Sequence, residues 1–119
     1  GHRVHVERLL KSRSRPRAVR LAGGAAKSPV WTRIFADVLG LPIEVVDAEE
    51  LGTLGCAMAA AVASGEYTDL KQAAKNMVTI KGRIEPDGAF AAVYDRKFAL
   101  HKEVMGLLDG IWQRYAAVR

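Results

Sequence analysis

The chain has 119 residues, of which 50% are hydrophobic and 26% charged, with a formal charge of +5. That is ordinary globular balance, enough for one domain with a modest core. No apolar run approaches the ~20 residues of a membrane span, and a single cysteine, Cys56, excludes an internal disulfide and agrees with a reducing compartment.

Taken in chain order, residues 3–12 read as a helix with Val6, Leu9 and Leu10 on its buried stripe. Residues 13–16 are a loop. Six basic residues, from Arg8 to Arg20, lie in and around this loop with no acid among them. Such a run invites a nucleic-acid partner. No aromatic residue interleaves with the arginines and no recognition signature follows, so the segment reads as a solvated linker and no nucleic acid is expected. Residues 17–22 are a first strand. A helix over 29–39 carries Trp31, Ile34, Phe35, Val38 and Leu39 on one side, ends at Gly40 as a left-handed cap, and is stopped by Pro42. Residues 42–46 are a second strand. The strand–helix–strand order with short links predicts a parallel pair.

A helix over about 52–64 follows, with Gly52 and Gly55 sharing a face. Each glycine costs about 1 kcal/mol inside a helix, so each implies a close neighbour, with tight helix–sheet packing the simplest. Cys56 sits in the same alanine-rich stretch, without a His or acid beside it in sequence, and reads as a packing residue. Gly65 closes this helix. Thr68 or Asp69 caps another over 69–78, with Leu70, Ala73, Ala74 and Met77 inward. Residues 79–93 carry turn signals, Lys81-Gly82-Arg83 and Pro86-Asp87-Gly88, and read as irregular or weakly extended. The last helix runs over 91–117, with Tyr94, Phe98, His101, Met105, Leu108, Trp112 and Tyr115 on one stripe. His101 there reads as a packed side chain with one hydrogen bond. No His, Cys, Asp or Glu set has metal-ligand spacing.

The stretch Val19-Arg20-Leu21-Ala22-Gly23-Gly24-Ala25-Ala26-Lys27-Ser28-Pro29 carries the chemistry. It runs strand, glycine bend, helix start. Ser28 can cap the helix, and Pro29 suits its first position. Free N–H groups of a first turn favour anions. A P-loop would need glycine where Ala26 and Leu21 stand, and a dinucleotide fingerprint would need it at Ala25 and Ser28. Two readings therefore stay open on spacing alone, an ordinary strand–helix turn or a phosphate-accepting bend.

The run LAGGAAKSPVWTRIFADVLGLPIEVVDAEELGTLGCAMAAAVASGEY closely resembles the C-terminal domain of the FGGY carbohydrate kinases. The likeness extends outward to the helix His2–Leu10 and to Tyr94-Asp95 with the helix after it, so it covers essentially the whole chain. It implies an α/β fold, a partial actin-like ATPase (ribonuclease H-like) C-terminal domain with parallel strands flanked by helices. It implies one fragment over 1–119, cytoplasmic, with the N-terminal sugar-binding domain and the catalytic residues upstream and absent. The parent enzyme would be a phosphotransferase using ATP and Mg²⁺ on a small sugar, closest to xylulose or L-xylulose kinases. By resemblance, Gly23 and Gly24 approach the phosphates and ribose, Ala25 and Ser28 border the adenosine, and Lys27 is a candidate phosphate ligand. Some members carry asparagine where Ser28 stands, which removes a direct bond to adenine. The fragment alone would be inactive. A two-stranded sheet would expose an apolar edge, predicting a homodimer formed across it. The alternative is a free-standing small α/β nucleotide-binding or interaction module without catalysis.

Overall fold

The structure, a computed structural model, describes residues 1–118. Its elements in chain order are α1 (His2–Leu9), β1 (Val19–Leu21), a 3₁₀ turn (Gly24–Lys27), α2 (Pro29–Leu39), β2 (Ile43–Val46), α3 (Leu51–Ala63), α4 (Leu70–Met77), β3 (Ile80–Ile84), a second 3₁₀ turn (Gly88–Phe90) and α5 (Ala91–Ala116). The signals at 28–42 act as the sequence predicts. Ser28 Oγ accepts from the Trp31 N–H at 3.3 Å, Pro29 opens α2, and Gly40 closes it in the left-handed region at φ 60°.

The sheet is mixed rather than parallel throughout. β1 pairs parallel with β2, Val19 opposite Ile43 and Leu21 opposite Val45. β3 then pairs antiparallel with β2, Ile43 opposite Ile84 and Val45 opposite Gly82, with an irregularity between Val45 and Val46. The stretch expected to be irregular thus supplies a third strand. Its turn-like Lys81-Gly82-Arg83 hides an alternation in which Gly82 takes a place between Ile80 and Ile84. β3 also covers the side of β2 expected to be bare. Its own outer edge carries exposed Lys81 and Arg83, which discourage further pairing.

Charges lace one face of the sheet. Glu44 of β2 lies between Arg20 of β1 at 3.3 Å and Arg83 of β3 at 3.2 Å, and Arg83 reaches on to Glu85 at 2.6 Å. The bond to Glu85, seconded by Glu44, holds the Arg83 guanidinium above even its usual high range. The basic linker is tied down rather than merely solvated. Arg15 Nη2 donates to the Gly40 carbonyl at 2.6 Å, satisfying the end of α2.

The core is small: Ala36, Leu41, Ile43, Ala73 and Phe98, with Thr32 and Asp37 as buried polar members. Each polar group is paired. Thr32 Oγ1 donates to the Ser28 and Pro29 carbonyls. Asp37 Oδ1 accepts the Asp87 N–H at 2.7 Å, and Arg33 Nη1 donates to the Glu85 carbonyl at 2.7 Å. These bonds fasten the chain between β3 and α5 onto α2. Asp69 caps α4 by accepting from the Gln72 N–H at 2.7 Å, while Gln72 Oε1 accepts from the Thr68 N–H.

Several apolar side chains expected inside are exposed: Leu9, Trp31, Leu70, Met105, Trp112 and Tyr115. Periodicity identified each stripe, but the elements that would cover these members are not among the described residues. The same holds for α3. Gly52 and Gly55 have nothing within 4 Å of where a Cβ would stand, so tight helix–sheet packing does not explain them, and Cys56 is exposed rather than packed. His101 is half-buried, with Nε2 3.3 Å from the Gly1 nitrogen and its ring against Phe98. The Cα radius of gyration is 18.4 Å, against about 13–14 Å for a compact domain of this length.

Candidate nucleotide site

The parallel pair β1–β2 sets the place, because ligands of open α/β sheets lie beyond the carboxyl ends of such strands. β1 ends at Leu21, and Gly23 follows with φ 79° and ψ −159°, a backbone open only to glycine. The chain then coils through the 3₁₀ turn Gly24–Lys27 before α2 begins, so the helix starts one turn later than a direct bend would place it. The Ala26 N–H bonds back to the Gly23 carbonyl at 3.1 Å, and the Ser28 N–H to the Ala25 carbonyl at 3.3 Å. Among the described residues no acceptor meets the N–H of Gly24 or Ala25. A Cβ at Gly23 or Gly24 would meet nothing within 4 Å. The bend is therefore open, with two donors free.

The expected site residues divide. Gly23 and Lys27 line a groove of about 350 Å³ with Val46, Asp47, Glu49 and Lys81. Lys27 and Lys81 also border an adjoining cleft of about 550 Å³ beside α2. Gly24, Ala25 and Ser28 stand on the turn but do not line the groove. The Ser28 hydroxyl is engaged as the α2 cap. Asp47, Glu49 and Lys81 were not singled out from sequence. Asp47 and Glu49 follow the carboxyl end of β2 directly, and the strand-end rule locates them once β2 is paired with β1. Lys81 joins through β3, whose turn-like sequence concealed it.

The groove is chemically two-sided. Lys27 and Lys81 suit a phosphate, and Asp47 and Glu49 suit hydroxyl or amino donors. The residues fit a nucleotide: an unobstructed glycine bend, free amides, and lysines within reach of both clefts. Among the described residues no group of three or more His, Cys, Asp or Glu could hold a metal ion, and no helix is long and apolar enough to cross a membrane. A separate apolar cleft of about 260 Å³ between α1, α2 and α5, walled by Trp31, Phe35 and Phe98, lies away from the bend.

Known proteins resemble this chain in sequence and in fold. A family model described as the C-terminal domain of the FGGY family of carbohydrate kinases matches residues 1–64. The L-xylulose/3-keto-L-gulonate kinase of Escherichia coli (strain K12) is 31% identical over 114 residues, covering 96% of this chain and 23% of that protein. An autoinducer-2 kinase of Enterobacter sp. (strain 638) is 33% identical over 107 residues, covering 82% of this chain and 20% of the relative. Among solved structures, a ligand-bound xylulose kinase from Lactobacillus acidophilus superposes with a TM-score of 0.83 at 24% identity, over 96% of this chain and 23% of that one. The xylulose kinase from Rhodospirillum rubrum gives 0.74 at 29% identity, over 94% and 23%. The fold is thus that of the sugar kinases, the actin-like ATPase fold, and the chain spans about a fifth of the length of the curated relatives it matches. With a family model over more than half of its length, the chain belongs to the FGGY family of carbohydrate kinases.

Proposed function

We propose that these residues form the nucleotide-side part of a longer sugar kinase that phosphorylates a hydroxyl of a pentulose-type sugar. The observation that carries this reading is the open bend at Gly23 and Gly24, set at the carboxyl ends of two parallel strands. The kinases named among the relatives support the reaction class. The expanded shape and the bare faces of α3 and α5 support a place inside a larger protein. The cytoplasm, where ATP is made, is its expected location.

ATP would supply the phosphoryl group, and Mg²⁺ would offset the charge of its phosphates. In such transfer the protein mainly positions groups and neutralises charge. Gly23 and Gly24 let phosphate and ribose approach the backbone, and the Gly24 and Ala25 amides donate to them. Lys27 offsets the developing charge. Ala25 borders the adenosine, and Ser28, occupied as the α2 cap, shapes that border rather than bonding to adenine. The catalytic base and the sugar contacts lie outside these 119 residues, so the isolated chain does not phosphorylate sugar.

Position 24 makes a clean test, because added bulk there meets no protein atom whereas Gly23 needs its positive φ. In the full-length polypeptide, Gly24→Val leaves the melting temperature intact and weakens Mg-ATP binding about tenfold or more, ~1.4 kcal/mol, by calorimetric titration. Unaltered affinity would make the bend purely structural. Failure to phosphorylate xylulose and ribulose in either enantiomer would remove the pentulose assignment.

A further inference from the structure

We infer that Lys81, turned out of the sheet by a bulge in β3, is a second phosphate-binding residue of the nucleotide site beside Lys27. The inference rests on the nucleotide reading of the bend at Gly23. Val45 and Val46 are neighbours on β2, and their partners on β3 are Gly82 and Ile80. Lys81, between those two, has no partner of its own. Two residues of β3 therefore stand against one of β2, the pattern of a bulge. The pairing is fixed on both sides of it. Glu44 stands opposite Arg83, and beyond Val46 the Asp47 N–H donates to the Thr79 carbonyl at 2.8 Å. The extra residue is held inside the ladder and is not a loose strand end.

Side chains two apart on a strand share a face. In unbroken pairing Lys81 would join Arg83 on the charge-laced face. Instead, Arg83 bonds to Glu44 and Glu85 there, whereas Lys81 lines both clefts that Lys27 lines, one with Gly23 and the other with Thr32 and Arg33 of α2. Bulges beside active sites serve to re-aim a side chain in this way. Among the described residues neither lysine has a carboxylate within ion-pair distance, although Asp47 and Glu49 border the same groove. Two unpaired ammonium groups, one of them on the turn that carries the free Gly24 and Ala25 amides, supply the charge and donors that a polyphosphate takes. A bulge and a lysine also keep an edge strand from pairing further. That role alone would leave nucleotide affinity untouched.

Calorimetric titration of the full-length polypeptide separates the two roles. Lys81→Met keeps the length of the side chain and loses its charge, and should weaken Mg-ATP binding about tenfold. Lys81→Arg should retain most of the affinity. Adenosine, read by its competition with Mg-ATP, should bind the wild type and Lys81→Met equally, because it carries no phosphate. Deletion of Lys81 keeps Ile80 opposite Val46 and Gly82 opposite Val45 while closing the bulge, so affinity should fall as it does in Lys81→Met with the melting temperature held. Should the deletion unfold the protein, the point variants carry the test. Wild-type Mg-ATP affinity in Lys81→Met overturns the inference and leaves the lysine a guard of the sheet edge. An equal loss for adenosine overturns it as well, because the groove itself would then have changed shape. Gly24→Val without effect removes the nucleotide reading and this inference with it, whereas an effect of Gly24→Val without one of Lys81→Met removes the Lys81 contact alone.

Discussion

α2 and α3 each follow a strand of the parallel pair, yet they are built on opposite rules. α2 is amphipathic and buries Thr32, Ala36 and Asp37, with caps at both ends. α3 is apolar all round, with Thr53 as its only polar residue, and buries nothing; its Glu50 cap position makes no side-chain bond. Among these residues α3 packs mainly against α4. Amphipathicity tells a helix where its cover lies, whereas uniform apolarity states only that cover is needed on every side. α2 finds most of its cover within this chain, Val30 and Trp31 excepted, whereas these residues leave α3 uncovered.

The contrast can be broken most forcefully on the α2 side. Asp37→Ala leaves the Asp87 N–H without an acceptor and should cost about 1–3 kcal/mol, read by urea denaturation. An effect near zero would show that the tie between α2 and the α5 approach carries no stability. Ser28→Ala removes the cap of α2 and should cost about 1 kcal/mol in the same measurement. The smallest effect belongs to α3 and has the opposite sign. With open space at Gly55, Gly55→Ala should stabilise the 119-residue chain by about 0.5–1 kcal/mol. The same change in the full-length polypeptide sharpens the comparison, because a covered α3 would turn that gain into a loss.

The bounds of α2 were legible because three local signals agree: a hydroxyl cap, a proline at the first position and a left-handed glycine at the end. The bend at Gly23 was legible for the same reason, since two adjacent glycines after a strand demand an unusual backbone. The 3₁₀ turn before α2 was not legible, because Ala25 and Ala26 suit either kind of helix. β3 was missed because a glycine occupies a slot that apolar alternation would fill, and its pairing with β2 is a long-range choice no local pattern records. The exposure of Trp31, Leu70 and Cys56 was missed because a stripe in sequence does not name its partner. Of the groove, Gly23 and Lys27 were readable from the bend, Asp47 and Glu49 only from the strand order, and Lys81 only from β3.

The fastening of Arg33 to the Glu85 carbonyl and of Asp37 to the Asp87 amide makes α2 a lever. At its front it carries the turn that begins at Gly23, and at its middle it grips the hinge-pin from which the longest helix springs. One rigid element thereby sets two places at once, the turn that leads into it and the segment from which α5 starts.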